Sequence, residues 1–290
     1  MRVAFFTAGT VGGGHLVHGL ALGRGLARAG FAGSYRMFGP ALPFSFAQGR
    51  ADYQAVEIQR DGALRRPETA AGSELACALR SFEPDLLVVD LFWAPLRWIL
   101  PALGCEAWLL VRICPQDWLS SRLGMPFAPE QFARIVAMEP IEHPLVEEWV
   151  EPLVIANRED CHPPGALRER LGVAAGEVLQ VVLHAGLPGE VEQLGWLAEQ
   201  EPPRVLDLYQ QEVLFPAAEW LGDVDRLITG AGYNSFWEAH WLGWAPRTHF
   251  VPFVRSIDDQ AARIELFSGY RPEANGADQL ARQILELQSS

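Results

Sequence analysis

The sequence predicts an α/β protein of two Rossmann-like domains, residues 1–150 and 151–290. Three observations support this. A short apolar run at 3–6 leads into a glycine-rich loop and a helical pattern over 15–29, a strand–loop–helix unit of the doubly wound kind. Residues 225–264 repeat the arrangement. An apolar run ends at Leu227-Ile228, Gly230 and Gly232 make a turn, and a helix begins at Tyr233 or Asn234. A second strand then ends at 251–253, before another helix. Between the two units, residues 151–164 are rich in proline and charge and read as a linker.

The other elements follow from apolar runs bounded by turn residues. In the first domain, strands are expected at 34–38, 55–59, 85–89 and 107–113, with a helix over 129–138. Gly19 and Gly23 stand four apart on one face of the first helix, where it can press close to a sheet. In the second domain, a helix is expected over 164–171, strands at 178–183 and 204–208, and a short helix over 216–221. A closing amphipathic helix over 277–287 follows from the spacing of Leu280, Ile284 and Leu287.

Composition narrows the function classes. A net charge of -13 argues against nucleic acid as a partner and against attraction to anionic lipid. The sequence contains no lysine, so Schiff-base chemistry and a P-loop lysine are excluded. Cys77, Cys105, Cys114 and Cys161 form no CxxC pair; they are expected to be buried thiols of a reducing cytoplasm, the expected compartment. The N-terminus runs directly into a strand without a signal-peptide layout, and no apolar run is long enough to span a bilayer.

The turn at Gly230 and Gly232 opens a helix whose free N–H groups and positive dipole end suit an anion such as a pyrophosphate; plain strand-to-helix punctuation is the alternative. Glu238, about one turn into that helix, is suited to a ribose diol or else lies on a solvated face. Asp259 and Gln260 suit sugar hydroxyls, although Asp259 could simply cap the next helix. In the first domain, Gly9, Gly12, Gly13 and Gly14 do not match GxGxxG, and no acid ends the second strand. A nicotinamide or flavin site is therefore not expected. His15 follows this loop at a helix start, where it can act as a general base or only cap the helix.

Taken together, Gly230, Gly232, Glu238, Pro252, Asp259 and Gln260 resemble the C-terminal half of GT-B glycosyltransferases. The resemblance is in particular to the branch containing the lipid II-forming N-acetylglucosaminyltransferase and the UDP-glycosyltransferases. Gly12, Gly13, Gly14 and His15 are similar to the glycine-rich loop and histidine of their N-terminal domain. The resemblance implies a GT-B fold, two Rossmann-like domains facing each other across a cleft. The first would lie on the acceptor side, and the second would bind the donor. It implies a nucleotide-diphosphate sugar donor (UDP or dTDP), a small-molecule or glycan acceptor, and inverting transfer without a metal or cofactor. His15 would be the base beside the sugar carbon, kept neutral by the helix dipole. Asp90 would orient it, unless Asp90 caps a helix near Ala94. Gly186 and Gly189 would belong to a phosphate-facing loop, although the serine or threonine common there is missing. His184 would be a second phosphate contact or a capped loop histidine. Val213 would lie near the nucleotide base. Tyr233 and Asn234, at the helix start, join the substrate-binding set. A nucleotide-sugar hydrolase of the same fold and a non-catalytic nucleotide-sugar binder remain as alternatives.

Overall fold

The computed structural model of the chain describes residues 1–9, 13–41, 51–59, 63, 65–122, 124–146, 148–184, 186–187, 189–195, 204–207 and 214–289. The first part runs β1 (Arg2–Phe6), α1 (Gly14–Arg28), β2 (Ser34–Gly39), β3 (Tyr53–Ala55), α2 (Pro67–Ala71), α3 (Glu74–Phe82), β4 (Leu86–Asp90), α4 (Leu100–Leu103), β5 (Glu106–Val111), β6 (Ser121–Arg122), β7 (Met125–Pro126), β8 (Arg134–Ala137) and β9 (Glu148–Trp149). The second runs α5 (Ala166–Leu171), β10 (Gln180–His184), α6 (Glu190–Gly195), β11 (Arg204–Asp207), β12 (Arg226–Gly230), α7 (Tyr233–Leu242), β13 (Thr248–Val251), α8 (Gln260–Phe267) and α9 (Gly276–Ser289).

Two parallel sheets result, ordered β3-β2-β1-β4-β5-β8-β9 and β11-β10-β12-β13. In the first sheet the strand order reverses between β1 and β4. In the second it reverses between β10 and β12. Ligands of open α/β sheets bind beyond the strand ends at such points. The central strands β1, β4 and β5 are nearly continuous apolar runs because both of their faces are covered. Val3 and Phe5 enter one core while Ala4 and Phe6 enter the other, and Leu86, Val88 and Leu87, Val89 divide the same way.

Helix α1 presses onto the first sheet through its glycines. A side chain at Gly19 would collide with Met37 and Phe5, and one at Gly23 would lie 2.9 Å from Tyr35. Gly25 faces the opposite way, where the backbone carbonyl of Ala277 in α9 leaves no room for a Cβ. Arg28 closes this contact on Asp278 at 2.6 Å. Thus α9 crosses from the second sheet back onto the first domain's opening helix.

Three expectations are corrected. Residues 129–138 are not a helix; a single turn at Pro129–Gln131 precedes strand β8, whose Ile135-Val136 pair is β-branched and lies alongside β5. Residues 151–157 are a buried strap rather than an exposed linker. Leu153, Val154, Ile155 and Ala156 sit inside the main core, and the strap's backbone bonds to Gly276, Gln279 and Asn275. The cysteines are free, but Cys77 is exposed and the other three are half-buried. Among the described residues, no helix is long and apolar enough to cross a membrane.

Candidate active site

The ends of β1, β4, β10 and β12 open onto one cavity of about 590 Å³. His15, in the first turn of α1, and Asp90, the last residue of β4, meet at its wall. His15 Nδ1 lies 2.7 Å from Asp90 Oδ2, and His18 Nδ1 lies 3.1 Å from the same oxygen. Asp90 is fully buried, at 0% exposure. Its carboxylate bonds to the two histidines rather than capping a helix. Burial raises the Asp90 carboxyl pKa, but the charges and hydrogen bonds of the two histidines outweigh this and hold it well below the usual carboxylate range. For His15 the direction is downward. Burial is the largest cause, the Arg112 charge and the neighbouring His18 add to it, and Asp90 opposes. The expected neutrality of His15 therefore has burial as its main cause.

With Nδ1 committed to Asp90, His15 turns Nε2 towards Arg112, whose Nη2 is 3.4 Å away. His18 was not among the site residues read from the sequence. Its three-residue spacing from His15, which puts both on one helix face, was the available signal. Potential metal-ligand atoms of His15, His18 and Asp90 lie within 4.8 Å of one another. In the structure the Nδ1 atoms of both histidines bond to Asp90 Oδ2.

Two helix N-termini converge here. Gly13 caps α1 and Gly232 caps α7, neither with a side-chain hydrogen bond, and neither helix has an acid in its first turn. Asn234 Nδ2 donates to Gly14 O at 2.9 Å and fixes the two ends side by side. The leading amides of α7 are thus uncapped at the cavity wall, where Gly232 contributes no side chain. Tyr233 lines the cavity, and its hydroxyl is engaged away from it, donating to Met138 O at 2.6 Å and accepting from Leu153 N at 2.8 Å.

Glu238 is not on a solvated face; it is 8% exposed and lines the cavity. Burial pushes its carboxyl up to about 8. Below its ordinary pKa of 4.5 the group is protonated in folded and unfolded chains alike. As pH rises from there towards 8, the unfolded chain gains by ionising and the folded chain does not, so stability falls across that window. Glu238→Gln is expected to remove this slope and to stabilise the protein at pH 8 by on the order of 3 kcal/mol, read from urea unfolding at pH 5 and pH 8.

The Asp259-Gln260 pair divides. Asp259 is exposed, outside the cavity lining, and caps α8 by accepting from Ala262 N at 3.0 Å. Gln260 is buried in the wall, its Oε1 accepting from Phe253 N at 2.9 Å. The acid of this segment that lines the cavity is Asp258, which sequence reasoning missed. Arg112 Nη1 and Arg263 Nη2 both donate to Asp258 Oδ1 at 2.7 Å, and Arg263 reaches Glu139 at 3.0 Å. Burial raises the Asp258 pKa, and the two guanidinium charges lower it below its ordinary value.

After β10, His184 and Gly186 line the cavity, whereas Gly189 lies off its wall with a left-handed φ of 88°. The Glu190 carboxylate folds back onto this loop. It accepts from Leu187 N at 2.9 Å and pairs with Arg255 at 2.6 Å. Gly230 and Gly14 line the wall. Gly12 and Val213 lie outside the described residues.

No protein-family model matches the sequence, and no curated protein does. Solved structures do match. The spinosyn forosaminyltransferase SpnP aligns at TM-score 0.59 and 16% identity, over 99% of this chain and 90% of that one. The glycosyltransferase SsfS6 of Streptomyces sp. SF2575 aligns at TM-score 0.57 and 13% identity over the whole of both chains. The spinosyn rhamnosyltransferase SpnG, complexed with thymidine diphosphate, aligns at TM-score 0.55 and 11% identity, over 100% of this chain and 92% of that one. At these identities the likeness shows the fold. The chain has the GT-B fold of glycosyltransferases, two Rossmann-like units with the cavity at their strand ends.

Proposed function

We propose that the protein is an inverting glycosyltransferase that moves a sugar from a UDP or dTDP donor to an acceptor hydroxyl. The observation that carries this reading is His15, held by Asp90 at 2.7 Å, facing the same cavity as the uncapped start of α7. The fold is shared with glycosyltransferases, among them SpnG in complex with thymidine diphosphate. Residues 1–150 serve the acceptor and residues 151–290 the donor.

In this reading the diphosphate rests on the leading amides of α7 behind Gly232, opposite the start of α1, where dipoles favour the charge that develops on it. Glu238 takes the ribose diol. Gln260, with Asp258 in the role expected of Asp259, faces the sugar hydroxyls. His15 Nε2 accepts the proton of the acceptor hydroxyl as the acceptor oxygen bonds to the anomeric carbon. The bond from that carbon to the diphosphate oxygen breaks, and its electron pair leaves with the nucleoside diphosphate. His15 then returns the proton to solvent. Asp90 fixes the tautomer that leaves Nε2 open and steadies the imidazolium that forms. The donor is a substrate, and no cofactor or metal takes part.

The test is turnover of a panel of UDP- and dTDP-sugars with and without acceptor phenols, in the presence and absence of EDTA. A transferase is expected to give stoichiometric glycoside, only slow donor leakage when acceptor is withheld, and rates unaltered by EDTA. Fast release of free sugar without acceptor would instead make it a hydrolase. Donor-induced thermal stabilisation without any turnover would make it a binder.

A further inference from the structure

Among the described residues, three guanidinium groups line the cavity, those of Arg112, Arg122 and Arg255. Arg112 is paired with Asp258 at 2.7 Å and Arg255 with Glu190 at 2.6 Å. Arg122, half-buried in β6, makes no hydrogen bond and no ion pair with any described residue. Its guanidinium carbon lies 4.0 Å from the centroid of the Trp118 ring. That ring is fixed, being 4% exposed, with Nε1 donating to Leu91 O at 3.0 Å. Phe92 stands between it and the base, 5.8 Å from Trp118 and 4.9 Å from His15 between ring centroids.

From His15 outward, therefore, the first domain presents an aromatic wall that ends in a cation without a counter-charge among the described residues. Glu238 and Gln260 belong to the other domain. A guanidinium held against an aromatic face keeps its edge donors free, in the fork geometry that matches a carboxylate. Drawing an anion to Arg122 breaks no existing ion pair, whereas at Arg112 or Arg255 it would displace a buried carboxylate.

Resting on the glycosyl-transfer reading, we propose that the acceptor is a flat, apolar hydroxy acid. Its hydroxyl meets His15, its ring system packs on Phe92 and Trp118, and its carboxylate is bound by Arg122. Arg122 thereby selects acidic over neutral acceptors.

The test measures binding of 6-hydroxy-2-naphthoate and of its methyl ester by calorimetry, without donor, to the intact protein and to Arg122→Gln. The acid is expected to bind about tenfold more tightly than the ester, the share of one charge-assisted pair, and to lose that advantage in Arg122→Gln. Equal affinity for acid and ester in the unmodified protein would overturn the proposal. So would an acid preference that survives Arg122→Gln, or binding of neither probe at millimolar concentration. Thermal stabilisation of both proteins by UDP and dTDP is measured alongside. It reports that the variant is folded, and its absence in both proteins would count against the donor reading rather than against Arg122.

Discussion

His15→Ala is expected to lower turnover by about 10²–10⁴-fold, the range of a lost general base, with nucleoside diphosphate affinity changed less than about twofold. The separation follows from geometry. His15 Nδ1 is committed to Asp90, and Nε2 faces the cavity beside Arg112, while Glu238 and Gln260 stand on the opposite wall. Asp90→Asn keeps the shape but removes the charge that opposes the burial of His15. The His15 pKa then falls further. Because the base must be neutral, the acid limb of the pH–rate profile is expected to move to lower pH. Turnover that survives His15→Ala would remove His15 from the chemistry.

Arg263→Met is expected to destabilise the fold by about 3–5 kcal/mol, the usual consequence of removing one partner from a buried charge cluster. Arg263 and Glu139 are both fully buried, at 0% exposure. Arg263 donates to Glu139, to Asp258 and to Ala231 O, and Glu139 also takes Trp237 Nε1 at 2.8 Å and Ile113 N at 2.6 Å. The variant leaves two carboxylates in the interior with fewer donors. Adding Glu139→Met should restore part of the loss, because one of the two carboxylates is then removed and Asp258 keeps its pair with Arg112. Urea unfolding of the single and double variants measures this; a loss below about 1 kcal/mol would mean that the cluster behaves as a surface ion pair.

Much of this arrangement could be read along the chain. The β1 loop and the β12 turn were legible because glycine and a strand's apolar run lie next to each other in sequence, and His15 and Glu238 follow at local spacing. Gly19 and Gly23 could be read as a sheet-facing surface for the same reason. What sequence concealed was mostly long-range. Arg112 and Asp258 are 146 positions apart and Glu139 and Arg263 are 124 apart, so nothing local marks them as partners. Asp258 and Asp259 are neighbours with the same side chain. Only the path of the chain entering α8 decides that one faces the cavity and the other caps the helix. Strand β8 lacked a legible signal because it is four residues long and buried on both faces, which removes the alternation that identifies a half-exposed strand. The proline- and charge-rich composition around residue 151 suggested solvent, but the apolar residues 153–156 between those flanks decided the burial.

That buried strap, together with α9, separates topology from thermodynamics. Strand connectivity divides the chain into two halves, yet the main core passes through both, and α1 takes its cover from the far end of the sequence. Severing the polypeptide at residue 150 would leave a bare oily stripe along α1 in one fragment and an unsheltered α9 in the other. Each fragment would lose part of the shared core, and the helix that carries the proposed base packs against the last helix of the chain.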